Sequence, residues 1–573
     1  MVNNSHTQIN SPFKTWVISD FSLGQHKNSQ TSPIQVDATN KNAVLASFML
    51  DLPMTIENLI PHSNTDSLIH LPIKTFDDFN PEKVALNVEV LNPYYGASQV
   101  IKRYLDNVIE EKEAQALLKG YLSVTGLATS IETLFYELEN QGSLQSSKPV
   151  NEEEESVDRL LGMLDLGEAA SVTPATDIKN DNGRIVKYKH ALNEIRRPLF
   201  LQLNKILHHT QFQSIERSWR GLSFLLQNTP QNVDVHILDC DKQSITTHIY
   251  EALNNVDENH TPNLLIFDFA LDCTNADLSL LEELILICDT FQIQSTINLS
   301  NNFFGVHSAA ELNGLTSLAP VFSKTPFVKW NSLRSRDSSR WIGCCFNKIL
   351  LRHVYNRHNN SLEFVERVEA SEDYLFGCGS WLLGRLVSES MSKYNWPTEI
   401  SPPKSQLVEL PQYTADINPN KTSQLCLEAY IDENLAEQLS NSGVIALQCE
   451  EGKNTAFIKY SPLLFKPPRY HDELVNLSTA QRNTFAFQLL SSYIADFVLT
   501  NKPVFIMAGD INAVKDSLEY LLKNLIENSG EGADITLELE KDASGYGQYL
   551  AKINLKMGSD ILTGLNVQLQ LVV

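Results

Sequence analysis

Between residues 233 and 299 the chain changes its hydrophobic period four times. VDVHILD reads as a strand, KQSITTHIYEAL as a helix, NLLIFDFAL as a strand, SLLEELILICDTF as a helix and QIQSTINL as a strand. NLLIFDFAL is almost continuously apolar, so neither of its faces can meet water. Such a strand belongs in a sheet covered on both sides. That alternation predicts an α/β fold, with some α+β character where strands cluster at the end of the chain.

The rest of the chain fits around it. With 573 residues, 42% of them hydrophobic, three or four packed units are expected. Residues 1–140 read as a small α/β unit. FKTWVISDF is a strand with Phe13, Thr15 and Val17 on one face and Trp16 and Ile18 on the other; SFMLDL and LIHLPIKTF are two more. Asn80 and Pro81 suit a helix start, and SQVIKRYLDNVIEEKEAQALLKGYL predicts one helix. Residues 141–185 are an acidic, polar linker holding NEEEES and a short amphipathic piece, VDRLLGMLDLG. A region at 186–320 carries the alternation. In its helix TQFQSIERSWRGLSFLLQN, Phe212, Ile215, Trp219, Leu222 and Leu226 share one face. A second α/β region, 321–573, includes LVNLSTAQRNTFAFQLLSSYIADFVLT as one long helix with Phe487, Leu490, Ile494 and Phe497 inward. It closes with three strands, ITLELE, QYLAKINLKM and LNVQLQLVV, a predicted meander.

In the last of these, Leu565, Val567, Leu569 and Leu571 alternate with amides. No Lys, Pro or Glu blunts it, so an edge there would invite pairing with another chain. The net charge of −24 argues against nucleic acid or an anionic membrane as main partner. No apolar run approaches the roughly 18 residues of a membrane span. The first residues, MVNNSHTQIN, do not resemble a secretory signal. Eight scattered cysteines without a C-x-x-C pair read as buried thiols of a reducing cytosol.

Catalytic and cofactor signatures are sparse, and no cofactor is expected. There is no phosphate-binding G-x-x-x-x-G-K-[ST], no H-E-x-x-H, no zinc spacing and no G-x-S-x-G. Cys378 in GCGS lacks an evident base, and close packing explains its glycines equally well. His208 and His209, at a helix end, suit a capping or surface role better than a metal. Asp268, within the apolar strand, and Asp272, just beyond it, could be catalytic carboxylates but suit a helix cap or an ion pair better. Arg334, Arg336 and Arg340 surround Asp337, which predicts an ion-pair network more readily than a phosphate site.

Four blocks, ILHHTQFQSIERSWRGLSFLL, KWNSLRSRDSSRWIG, EDYLFGCGSWLLGRLVSESMSKYNWP and LFKPPRYHDELVNLSTAQRN, resemble, in order, the large sheath subunit of bacterial type VI secretion (TssC/VipB). WVISDFSLG, LIPHSN and LPIKTFDDFNPEKVA, with Asp77, Asp78, Phe79 and Pro81, resemble its small sheath subunit (TssB/VipA). The two are normally separate chains, and here both stand in one.

The resemblance implies a non-enzymatic structural protein of the bacterial cytoplasm. Copies would form a helical homo-oligomer around an inner tube protein, dock on a baseplate and contract. Strands would be exchanged between protomers, which nominates the tail and the strand holding Phe13, Thr15 and Val17. In separate large subunits a short helix contacts a hexameric AAA+ unfoldase; Leu160, Leu161 and Leu164 occupy that place here. A non-contracting cap, scaffold or baseplate relative is the alternative, and an enzyme on the α/β scaffold a third.

Overall fold

Seven strands gather into one sheet in the computed structural model. It describes residues 12–25, 32–60, 67–139, 179–257, 260–315, 317–418, 421–501, 511–528, 533–541, 549–557 and 566–572. The first strands are β1 (Phe13–Ser19) and β2 (Ile34–Val36), followed by an antiparallel hairpin, β3 (Leu50–Ile56) and β4 (Ser67–Ile73). Then come β5 (Val233–Asp239), β6 (Leu264–Leu271), β7 (Gln294–Leu299), β8 (Ile342–Phe346) and β9 (Val444–Ala446). The sheet runs β9–β8–β7–β6–β1–β5–β2, parallel throughout except for β2 at one edge.

The apolar strand β6 lies well inside this sheet, as its composition requires. On one side β1 sends Phe13 and Val17 into a core with Leu264, Ile266, Trp219 and Trp381. On the other, Trp16 and Ile18 join Leu265, Phe267, Leu281 and Trp330. The helices follow in chain order. They are α1 (Pro81–Asn87), α2 (Asn92–Leu105), α3 (Glu111–Lys119), α4 (Thr125–Glu139), α5 (Lys179–Leu207), α6 (Thr210–Leu225), α7 (Ile245–Asn255), α8 (Asn275–Phe291) and α9 (Gly379–Tyr394). Later come α10 (Glu473–Arg482), α11 (Phe485–Thr500) and α12 (Ile511–Asn528). A meander of β10 (Ala533–Lys541), β11 (Tyr549–Met557) and β12 (Asn566–Val572) ends the described chain, antiparallel and in chain order, as predicted.

Strands from the regions 1–140, 186–320 and 321–573 share the seven-stranded sheet, because β1 sits between β5 and β6, and β8 and β9 extend the same sheet. Two expectations change. The helix expected from Ser98 to Leu122 is α2 and α3, interrupted where Asn107 takes a left-handed φ of 57°. The helix expected from Leu474 to Thr500 is α10 and α11. Thr484 caps the second, its hydroxyl accepting from the Phe487 amide at 3.3 Å. A side chain that bonds the next turn's amide starts a new helix instead of continuing the old one.

Candidate assembly site

The seam between the N-terminal portion and the rest of the chain starts at β1. Its backbone pairs with β5 from Phe13↔Val233 to Ser19↔Asp239 and with β6 from Thr15↔Leu264 to Ile18↔Phe267. Phe13, Thr15 and Val17 are buried. Both rims of β1 are occupied within its own chain, so it offers no edge to another copy, which corrects its nomination as an intersubunit strand. The signal was present in FKTWVISDF: a strand apolar on both faces is a central strand. Lys14 adds polar ties. Its amide donates to Asn263 Oδ1 at 2.7 Å and its ammonium lies 3.3 Å from Asp496 Oδ2 on α11.

Trp219 is the apolar half of the seam. It is fully buried, with rings of Phe21, Phe48 and Phe76 at 5.1, 5.3 and 6.1 Å, and its Nε1 donates to the Phe21 carbonyl at 3.1 Å. All three rings belong to the N-terminal portion. Behind it, Gly221 lets α6 approach α9, since a Cβ there would stand 2.4 Å from the Trp381 ring. Gly384 does the same for α9 on β6, where a Cβ would stand 2.3 Å from Ile266.

Beside Trp219 lies a buried ionic cluster that the sequence reading missed. Arg352 binds Glu366 through two parallel hydrogen bonds of 2.7 and 2.9 Å and reaches Glu216 through Nε at 3.1 Å. Arg220 binds the same Glu216 oxygen at 2.6 Å and the Tyr355 hydroxyl at 3.2 Å. That hydroxyl donates to Asn80 Oδ1 at 3.4 Å, which links the cluster to the N-terminal portion. His208 places Nε2 3.1 Å from Glu366 and Nδ1 3.4 Å from Asp373. Burial pushes the Glu366 carboxyl up, but hydrogen bonds from His208 and Arg352, the Arg352 charge and the Tyr355 amide outweigh it and hold it at about 2. The partners of Glu216 and Arg220 come from a stretch more than 130 residues downstream, so no local spacing announces them. His209 caps α6, accepting from the Gln211 amide at 3.3 Å, and burial lowers its pKa.

The arginine cluster does not centre on Asp337. Only Arg340 pairs with Asp337. Arg336 instead meets Glu282 on α8 at 2.6 Å, where Lys329 joins at 3.1 Å. Arg334 is buried and donates to the Leu464 and Asn441 carbonyls at 3.2 and 3.0 Å. Burial lowers its pKa to about 10. It buttresses backbone, and Arg340 stacks over the Phe465 ring at 5.7 Å. The expected network therefore braces the start of the segment that leads to α10.

Asp268 and Cys378 do come together. Asp268 accepts from Trp381 Nε1 at 2.7 Å and Ser19 Oγ at 3.0 Å, and the Cys378 thiol bonds to it. Burial, then the Asp268 charge, pushes the thiol well above its ordinary value. Such a thiol is a poor nucleophile, so the pair locks α9 against β1 and β6. Asp272 accepts from Ser300 and its amide donates to Asp277 at 2.7 Å, away from Cys378. Among the described residues no group of three His, Cys, Asp or Glu is arranged to hold a metal, and no helix is long and apolar enough to cross a membrane.

In the terminal meander β12 pairs with β11 alone, from Lys556↔Asn566 to Leu550↔Val572. Among the described strands its outer rim is unpaired, and so is that of β10. Val567, Leu569 and Leu571 stand opposite Leu555, Ile553 and Ala551. Leu565, Leu160, Leu161 and Leu164 lie outside the described residues.

Known proteins match two stretches of the chain. Residues 189–462 match the VipB family model (EvpB/VC_A0108, tail sheath N-terminal domain). Residues 1–134 match the VipA model of the type VI secretion system (VipA, VC_A0107 or Hcp2). The sheath protein TssC1 of type VI secretion in Pseudomonas aeruginosa is 24% identical over 320 residues, 50% of this chain and 64% of that protein. The chain thus spans just under two thirds of that relative's length. Two solved structures are also similar. One is the baseplate of the anti-feeding prophage (TM-score 0.34, 8% identity, 58% of this chain and 75% of that one). The other is the sheath tail protein Lin1278 of Listeria innocua (TM-score 0.31, 8% identity, 59% and 61%).

The chain belongs to the sheath proteins of type VI secretion. Within that class it is a fusion, with the small-subunit region and the large-subunit region in one polypeptide.

Proposed function

We propose that this chain is the repeating unit of a bacterial cytoplasmic sheath. Copies stack as a helical tube around an inner tube protein, start from a baseplate and contract to drive the inner tube forward. Its role is mechanical. An open lattice needs one patch of each copy to meet a different patch of the next. The observation that carries this reading is the terminal meander, whose outer strand β12 has an unpaired rim among the described strands. Backbone pairing with a strand of another copy would satisfy it.

The fusion fits the same role. A strand of the small-subunit region fills the slot between β5 and β6, so the two halves must occur one to one. Covalent linkage enforces that ratio and raises the effective concentration of each half for the other. The linker stretch with Leu160, Leu161 and Leu164 would offer a contracted sheath to an AAA+ unfoldase.

Electron microscopy of the purified protein tests the proposal. Long tubes are expected from the intact chain, and discrete folded particles from a variant lacking residues 565–573. If the intact chain gives only discrete rings or plates, it is a cap or baseplate component instead. If the deletion leaves tubes unchanged, β12 is not the exchange edge.

A further inference from the structure

We infer that the arm formed by residues 466–483 is a docking element whose exposed apolar stripe, Leu474 and Leu477, seats against a second copy of this chain. The arm closes at its base. The Asn483 side chain donates to the Phe465 carbonyl at 2.8 Å, and the Lys466 amide donates to the Arg334 carbonyl at 2.7 Å. Arg334 and Arg340 brace that base, which gives the arginine cluster a purpose.

Within the arm, α10 buries none of its ten residues. Leu474 is 75% exposed, Leu477 59% and neighbouring Tyr470 48%. Leu474 and Leu477 are three apart and so lie on one face. A ten-residue helix is marginal in water unless an apolar face is packed. This one is nonetheless built to hold its shape. Asp472 caps it, accepting from the Leu474 amide at 2.8 Å, and Asn476 bonds both the amide and the carbonyl of Tyr470 at 2.7 and 2.8 Å. A rigid helix that presents leucines outward is prepared for a partner surface.

Two observations select the partner. Lys466, Arg469 and Arg482 outnumber Asp472 and Glu473 on the arm, whereas the whole chain carries −24. With one positive charge in excess, the arm adds no repulsion towards another copy of the same acidic chain. The arm also leads directly into α11, which lies against β12, the strand with the open rim. This inference rests on the self-assembly reading given above.

The test places a photo-crosslinking amino acid at Leu477 in the intact chain and mixes ¹⁴N- and ¹⁵N-labelled protein. Cross-links that join light to heavy peptides support the inference. Cross-links confined to one chain, to co-expressed inner tube protein alone, or absent altogether overturn it. In parallel, Leu474→Asp with Leu477→Asp lowers the sedimenting fraction at least tenfold while the circular dichroism spectrum is unchanged, because neither side chain is buried in the fold. Unchanged sedimentation would also overturn it. Tubes that persist without light-to-heavy cross-links would reject the arm and leave the sheath reading standing. Light-to-heavy cross-links in rings instead of tubes would do the reverse.

Discussion

Replacing Glu366 by Gln removes the carboxylate that holds Arg352 while keeping its shape. In the folded chain that carboxyl is held at about 2, against 4.5 ordinarily, and the residue is 5% exposed, so solvent screens it little. A downward shift of this size corresponds to about 3 kcal/mol of stability at neutral pH. The direction follows from linkage. A carboxyl whose folded pKa is depressed contributes in full above its unfolded value and loses that contribution as pH falls towards the folded value. The contribution is therefore complete above about pH 5, shrinks to roughly 1.5 kcal/mol at pH 3 and disappears near pH 2. Urea unfolding followed by circular dichroism, from pH 7 to pH 3 and at concentrations that keep the protein unassembled, measures it. The wild-type minus Glu366→Gln difference should be near 3 kcal/mol at pH 7 and should shrink by about half by pH 3. Other acid-titrating groups act on both proteins and cancel in the difference. A difference below about 1 kcal/mol at pH 7, or curves that stay parallel to pH 3, would refute the view that this cluster clamps the seam.

Trp219→Ala should destabilise by about 4 kcal/mol, from the cavity and the lost ring contacts with Phe21, Phe48 and Phe76. Hydrogen exchange in β1 should rise more than in β7, and equal changes in the two strands would count against Trp219 as the clamp. Gly221→Val should destabilise by roughly 3 kcal/mol or more, because its side chain meets the Trp381 ring; thermal melting unchanged within error would contradict that packing. Cys378 in the folded protein should react with iodoacetamide at neutral pH far more slowly than a free thiol, and Cys378→Ser should assemble normally. Rapid alkylation would reveal an activated thiolate that the burial and the Asp268 charge do not allow.

Local pattern carried much of this fold. The apolar run in NLLIFDFAL called for a strand covered on both faces, and β6 is one. The face of Phe212, Ile215, Trp219, Leu222 and Leu226 is buried throughout. Alternation in the last three strands predicted the terminal meander. The resemblance of the four ordered blocks pointed to the sheath family. Where a pattern spans a few residues, the period of the backbone writes it directly into the chain.

The site itself depended on distance along the chain. Arg334 and Arg336 are sequence neighbours of Asp337, yet their partners are the carbonyls of Leu464 and Asn441 and the carboxylate of Glu282; only Arg340 pairs with Asp337 locally. Glu216 on α6 meets Arg352 and Glu366, which lie in one loop more than 130 residues downstream. β1 lies more than 200 residues before the two strands that hold it. Sequence by itself determined which segments become strands and helices and which faces they bury, because those depend on local dihedrals and hydrophobic period. Tertiary structure alone decided that the small-subunit strand fills the large-subunit sheet, that the arginines brace an arm, and which rims stay open. Pairing between distant segments depends on which surfaces meet after the chain collapses, and no short window of residues encodes that.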